Sequence, residues 1–291
     1  MTDTLTPAPD RRLHAFRPDL ADETLRGKVD ATRFVRPQTA SIAVPVADLR
    51  PAPDFSRGID TQLLFGEPVH VFDEGDGFAW VQSLEDGYVG YLPQAQLSPT
   101  TQPTHRISVP RTFVYPEAEL RKVPLHALSM GSRITVTGEA ETRGTRYFLL
   151  STGGAVIARQ CIEETAVLSE DYVTIAQTFL ETPYLWGGRS GFGIDCSGLV
   201  QLAMMMAGKK ILRDSDMQAG FGTPIAREDL VRGDLVFWKG HVGIMEDEKT
   251  ILHANGHTMT VARENLDAAI ERIGWLYQQP TGYRRPPTHT G

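Results

Sequence analysis

The stretch from Thr182 to Gly198, TPYLWGGRSGFGIDCSG, constrains this chain more than any other. Its glycines, Gly187, Gly188, Gly191 and Gly193, disfavour a helix before Cys196 and permit tight backbone approach. The apolar run that follows predicts a helix from Ser197 to Met206, closed by Gly208. Cys196 is therefore expected at a helix N-terminus, where unpaired N–H groups and the helix dipole favour a thiolate. A reactive thiolate needs a neighbouring base and a group that orients that base. His241 and His253, on two later strand-like segments, are the candidates.

Composition narrows the partners. A net charge of −7 with no basic stripe argues against nucleic acid. A hydrophobic content of 41% with both charge signs represented fits a soluble globular chain with a sizeable core. Cys161 and Cys196 are the only cysteines, too few for a disulfide framework in a chain this long. Cys161, in Arg159-Gln160-Cys161-Ile162, reads as a structural thiol. The sequence begins Met-Thr-Asp-Thr-Leu-Thr-Pro, without a basic segment leading into an apolar one, and it holds no run of about 18 apolar residues. These features predict a cytoplasmic protein with no membrane partner. No cofactor is implied, and no metal, because Cys196, His241 and His253 lack the close pair spacing of zinc sites. The oligomeric state is not legible.

Residues 1–39 are rich in proline, threonine and charge, and read as an extended arm packed on the rest, loosely held over its first ten residues. Residues 40–99 alternate in short strands, among them Pro68–Phe72 and Ala79–Ser83, with turn signals at Asp73–Gly77 and Glu85–Gly87. About five short strands in roughly 60 residues predict a small β-barrel. Residues 104–163 repeat the spacing and predict a second, with Pro99–Pro103 as linker. From 164 to 291 the pattern becomes α+β. An amphipathic helix, Asp171–Leu180, precedes the cysteine loop and helix. Strands follow at Leu235–Trp238, His241–Met245, Thr250–Ala254 and Thr258–Val261.

Antiparallel neighbours joined by a turn at Glu246–Lys249 would set His241 and His253 side by side. His253 would then fix the tautomer of His241, the task a carboxylate or amide performs in other triads. Taken alone, each histidine reads as a half-buried polar group with its hydrogen bonds satisfied.

Together these segments resemble the NlpC/p60 cysteine peptidases. Thr182–Gly188 with Gly193–Leu199 is similar to their nucleophile motif, Gly233–Phe237 with Gly240–Ile244 to their second motif, and Ile251–Ala254 to their third. The resemblance implies a papain-like α+β catalytic domain with a Cys196-His241-His253 triad. Residues 40–99, ending in Gly87-Tyr88-Val89-Gly90-Tyr91, resemble a bacterial SH3-like domain. The implied fold is thus α+β, a papain-like domain behind two small SH3-like β-barrels.

A narrower resemblance is to the cytoplasmic γ-D-glutamyl-L-diamino acid endopeptidases of murein peptide recycling. It implies a murein peptide substrate beginning L-Ala-γ-D-Glu, cut after the D-Glu, with the free amine read around the cysteine. Tyr184, Trp186, Asp195, Ser197, Asp214 and Ser215 fall on matching positions. An ammonium in a dry cleft needs a carboxylate, from Asp195 or Asp214. Tyr184 and Trp186 would form an aromatic wall, and Glu67 and Tyr88 are the positional matches for groups that limit the pocket to a dipeptide. Plainer roles stay open: helix caps for Asp195 and Asp214-Ser215, core packing for Trp186, exposed barrel positions for Glu67 and Tyr88. Other functions stay open too: a wall-hydrolysing endopeptidase anchored by its SH3-like domains, a non-catalytic murein-peptide-binding module, or acyl transfer by the same thiol.

Overall fold

Hairpin turns organise the N-terminal half. Asp76 and Gly77 take φ of 52° and 80° and turn the strand Pro68–Gly75 into Phe78–Ser83. Arg143 and Gly144, at 55° and 77°, do the same between Val136–Thr142 and Thr145–Leu150. Two successive left-handed residues give the turn whose twist matches that of the flanking strands. The computed structural model describes residues 9–276 and 278–287, so residues 1–8 of the expected arm lie outside the described residues. The chain divides into two units, Met1–Thr101 and Gln102–Gly291.

In the first unit a five-stranded sheet runs in the order Val89–Pro93, Phe78–Ser83, Pro68–Gly75, Gln38–Ile42, Leu97–Pro99. The arm belongs to this core: Ala15 and Leu20 pack with Phe72, Trp80 and Val89. Arg17 lies over the Trp80 ring, 4.5 Å from its centre, and donates to Asp73 at 2.6 Å. A separate pair, Val46–Leu49 with Thr61–Leu64, joins the large sheet through one bridge, Arg50 to Tyr91.

The second unit opens with another β-rich stretch, in sheets of three, two and three strands. The sheets of both stretches are open, so the ladders of the expected small barrels do not close by continuous pairing among the described residues. Register shifts between Val71 and Asp73 and between Val136 and Gly138 bend the long strands. The gaps are spanned by single bridges, Arg50–Tyr91 and Tyr115–Ala155, in place of continuous ladders.

The remainder of this unit is α+β. Asp171 caps a short helix, Tyr172–Gln177, by accepting from the Val173 N–H. A six-stranded antiparallel sheet follows in the order Thr223–Pro224, Gly282–Arg285, Leu235–Trp238, His241–Met245, Thr250–Asn255, Thr260–Asn265. The cysteine helix, Cys196–Met206, packs on the strands His241–Met245 and Thr250–Asn255. A second long helix, Leu266–Leu276, starts where the Asn265 side chain accepts from the Asp267 and Ala268 N–H groups. Leu266, Ala269, Ile270 and Ile273 bury one of its faces against Val236, Trp238, Met245 and Ile251. That spacing, i, i+3, i+4, i+7, is a helical stripe, yet the sequence reading assigned no element beyond Val261.

Within the second unit the β-rich stretch grips the glycine run. The Gly191 N–H donates to Ser129 Oγ at 2.9 Å, and Arg111 donates to the Gly191 carbonyl at 3.0 Å. A Cβ at Gly191 would stand 2.1 Å from the Pro110 carbonyl oxygen, against backbone that cannot swing aside. Gly191→Ala is therefore expected to cost about 1–3 kcal/mol through overpacking, read as a lowered midpoint in urea unfolding followed by tryptophan fluorescence.

Candidate active site

The cysteine helix is fixed at its first turn by a buried ion pair. Asp195 is the cap, its Oδ1 accepting from the Gly198 N–H at 2.7 Å and its Oδ2 from the Gly187 N–H at 2.9 Å. Arg213, only 1% exposed, binds both carboxylate oxygens at 3.0 and 2.8 Å. It also donates to Ser197 Oγ at 2.8 Å and to the Gly188 carbonyl. The buried Gln218 amide then pins the Arg213 loop, donating to the carbonyls of Ser197, Leu212 and Arg213. Sequence reasoning missed Arg213 and did not single out Gln218. No signal in the sequence marks Arg213, which closely follows Lys209-Lys210 and reads as one more solvated charge.

Asp195, one of the two carboxylates expected to meet a substrate ammonium, is thus already hydrogen-bonded on both oxygens. Its two oxygens accept from two backbone N–H groups, the guanidinium and the Ser197 hydroxyl. Ser197 itself is buried beneath Cys196 and held by Arg213. Asp214 and Ser215 sit together at the next short helix, Ser215–Gln218, where Asp214 precedes the first turn without a side-chain capping bond. Tyr184 is half-buried and anchored through its N–H to the Met259 carbonyl. Trp186 is 70% exposed, which removes the core-packing reading for it. In the first unit Glu67 and Tyr88 are buried, not exposed, and Glu67 accepts from the Leu64 N–H within its own turn.

Cys196 is buried, and the backbone N–H groups of Val242 and Ser197 donate to its sulfur. Burial pushes the thiol up to about 12, with the Asp195 carboxylate adding to it; the Val242 N–H, Arg213 and the Ser197 N–H pull the other way. Burial thus opposes the thiolate that the helix end favours. Desolvation outweighs the helix end, and the capping carboxylate offsets the positive pole of that end.

His241 opens its strand directly after the turn residue Gly240, at φ 75°. Its Nε2 lies 2.9 Å from His253 Nδ1. Trp238 faces it across the hairpin, ring centres 5.6 Å apart. Burial, then the His253 ring and Arg272, hold His241 down at about 3, against the Glu264 carboxylate. Burial therefore opposes charge on both the thiol and the imidazole. A Cβ at Gly243, on the His241 strand, would fall 3.4 Å from His253 Cβ and 2.4 Å from Ile251 Cδ1 on the next strand. Glycine there leaves room for the rings to meet. Cys161 stands apart, half-buried, its thiol raised by burial to about 12.

Residues 181–273 match the model of the NlpC/P60 family, and residues 49–97 match the bacterial dipeptidyl-peptidase Sh3 domain. A γ-D-glutamyl-L-lysine dipeptidyl-peptidase of Bacillus subtilis (strain 168) is 34% identical over 223 residues, covering 67% of this chain and 72% of that protein. The chain belongs to the NlpC/P60 family. This NlpC/P60 cysteine peptidase is also similar to dipeptidyl-peptidase 6 of Lysinibacillus sphaericus, 27% identical over 82% of this chain and 99% of the relative. It shares its fold with a solved NlpC/P60 protein of Bacillus cereus, at a TM-score of 0.71 and 23% identity, over 85% of this chain and 99% of the other. The α+β part of this NlpC/P60 peptidase is accordingly papain-like.

Two outcomes follow for the peptidase. Removing one partner of the buried pair, as in Arg213→Met, should cost about 3–5 kcal/mol, because Asp195 is left uncompensated; urea unfolding measures it. Acid should unfold the protein through His241. The unfolded chain takes up that proton near 6.5 while the folded protein resists until about 3. Stability is thus complete above pH 6.5 and falls as pH drops toward 3. In His241→Gln, unfolding free energy measured against pH should lose that part of its slope.

Proposed function

We propose that this peptidase hydrolyses the γ-D-glutamyl–L-diamino acid bond of freed murein peptides with an N-terminal L-Ala, in the cytoplasm, through a Cys196-His241-His253 triad. The 2.9 Å contact between His241 and His253, beside a cysteine at a helix start, carries the reading. The names of the relatives, γ-D-glutamyl-L-lysine dipeptidyl-peptidase and dipeptidyl-peptidase 6, support the substrate class. In this reading the chain divides into an arm (1–39), two SH3-like barrels (40–99 and 104–163) and the peptidase domain (164–291).

Because His241 Nε2 is turned to His253, Nδ1 is the nitrogen left to meet the thiol. It holds or takes the Sγ proton as sulfur attacks the γ-carbonyl of D-Glu. The Cys196 N–H, in the first helical turn where intrahelical partners are lacking, donates to the oxyanion. His241 then protonates the leaving amine of the diamino acid and activates water against the thioester. Asp195 or Asp214 supplies the carboxylate for the substrate ammonium, with Tyr184 and the exposed Trp186 as flanking wall.

The test is incubation with L-Ala-γ-D-Glu-meso-diaminopimelate and its L-lysine counterpart, with the free diamino acid followed by mass spectrometry. The wild type should release it, and Cys196→Ala should lower the rate by at least about three orders of magnitude. N-acetylation of the L-Ala should abolish release. Equal cleavage of acetylated peptides or of intact murein would overturn the amine-reading pocket in favour of a wall hydrolase. No cleavage of any of them would leave a binding module.

A further inference from the structure

Two charged residues outside the motifs line up behind the histidines. Glu264 lies on Thr260–Asn265, the strand next to that of His253, and its Oε2 is 3.3 Å from His253 Nε2. His253 is 1% exposed, and its Nε2 makes no well-aligned hydrogen bond among the described residues, so this carboxylate is the acceptor it faces. Glu264 is in turn clamped by Arg272, from Nε to Oε1 at 3.1 Å and from Nη2 to Oε2 at 2.5 Å. Arg272 stands on the helix Leu266–Leu276, whose apolar face is locked onto the sheet. The line therefore runs across three neighbouring strands and ends on a rigid element.

A neutral imidazole has one donor and one acceptor nitrogen, so an anionic neighbour decides which is which. We infer that Glu264, clamped by Arg272, is a positioning residue that sets the tautomer of His253 and, through it, the basic nitrogen of His241. The inference rests on the reading of Cys196 and His241 as the reacting pair. Glu264 accepts from His253 Nε2–H. His253 Nδ1 is then an acceptor and takes the Nε2–H of His241. His241 Nδ1 is left with its lone pair, the state a general base for the thiol requires. When Nδ1 takes the Sγ proton, the new positive charge is met through His253 by the Glu264 carboxylate, with no further proton transfer needed.

Glu264 also keeps its charge. Its contact with His253, opposed by burial and aided by Arg272, holds it down at about 2. The charged and titratable groups acting on His241 are His253, Arg272 and Glu264; those acting on Cys196 are Asp195 and Arg213. The two outer residues act on His241 with opposite signs, the carboxylate raising its proton affinity and the guanidinium lowering it.

Wild type, Glu264→Gln and Arg272→Met are compared in three measurements, with melting curves to establish that each is folded. In ¹⁵N-histidine spectra at neutral pH the wild type should show both His241 and His253 as Nε2–H tautomers, and Glu264→Gln should show a mixture. On the tripeptide, Glu264→Gln should lower kcat about ten- to a hundredfold, part of what general-base catalysis supplies, with KM unchanged. The acidic limb of kcat/KM should move to lower pH in Glu264→Gln and to higher pH in Arg272→Met. Unchanged tautomers and kcat in Glu264→Gln, or limbs that move together in the two variants, would overturn the inference. If Glu264→Gln does not fold, the limb of Arg272→Met alone decides, an unmoved or lowered limb being the overturning result. A wild type inactive on every peptide sinks the proposed reaction instead, and the spectra then judge Glu264 independently.

Discussion

The candidate site depends first on the pair between Asp195 and Arg213. Its worth is geometric more than energetic, since two desolvated charges recover little net stability from each other. What the pair does is tie three separate segments to one point. Asp195 holds the helix start and the Gly187 N–H; Arg213 holds Asp195, Ser197 and the Gly188 carbonyl. Gln218 binds the arginine loop back onto the same helix. Cys196 is therefore placed by its neighbours on both sides.

The second constraint is dryness. The sulfur and the His241 ring lie where charge is poorly solvated, so burial opposes charge on each. Burial that disfavours the thiolate also shields the sulfur from oxidation and metal capture. Such a site needs its base aimed in advance, because a neutral imidazole pointing its N–H at sulfur would be useless. The line from His241 through His253 to Glu264 and Arg272 meets that need across three strands. The helix Leu266–Leu276, remote in sequence from Cys196, thereby becomes part of the same construction.

Much of this was legible before any coordinates. The glycine run placed Cys196 at a helix start, and the structure begins the helix at that residue. The strands Leu235–Trp238 and His241–Met245 appear with the bounds that hydrophobic patterning gave them. Other features were present but unread, such as the stripe of Leu266, Ala269, Ile270 and Ile273. Arg213, Glu264 and Arg272 carried no signal, because a charged residue in a turn, on a strand or on a helix is indistinguishable in sequence from a solvated one. Their partners are distant along the chain or across a strand boundary.

The sequence by itself determined the local chemistry: a thiol at a helix N-terminus, two imidazoles on neighbouring strands, and glycines where backbone must approach backbone. Those choices follow from propensity, periodicity and steric exclusion, which act over a few residues. Only the tertiary structure decided how the charges are spent. It gave Asp195 to Arg213, turned Trp186 outward, buried Glu67 in its own turn, and set burial against the thiolate. Desolvation and ion pairing are properties of what packs around a group, and that is set by contacts between segments far apart in the chain.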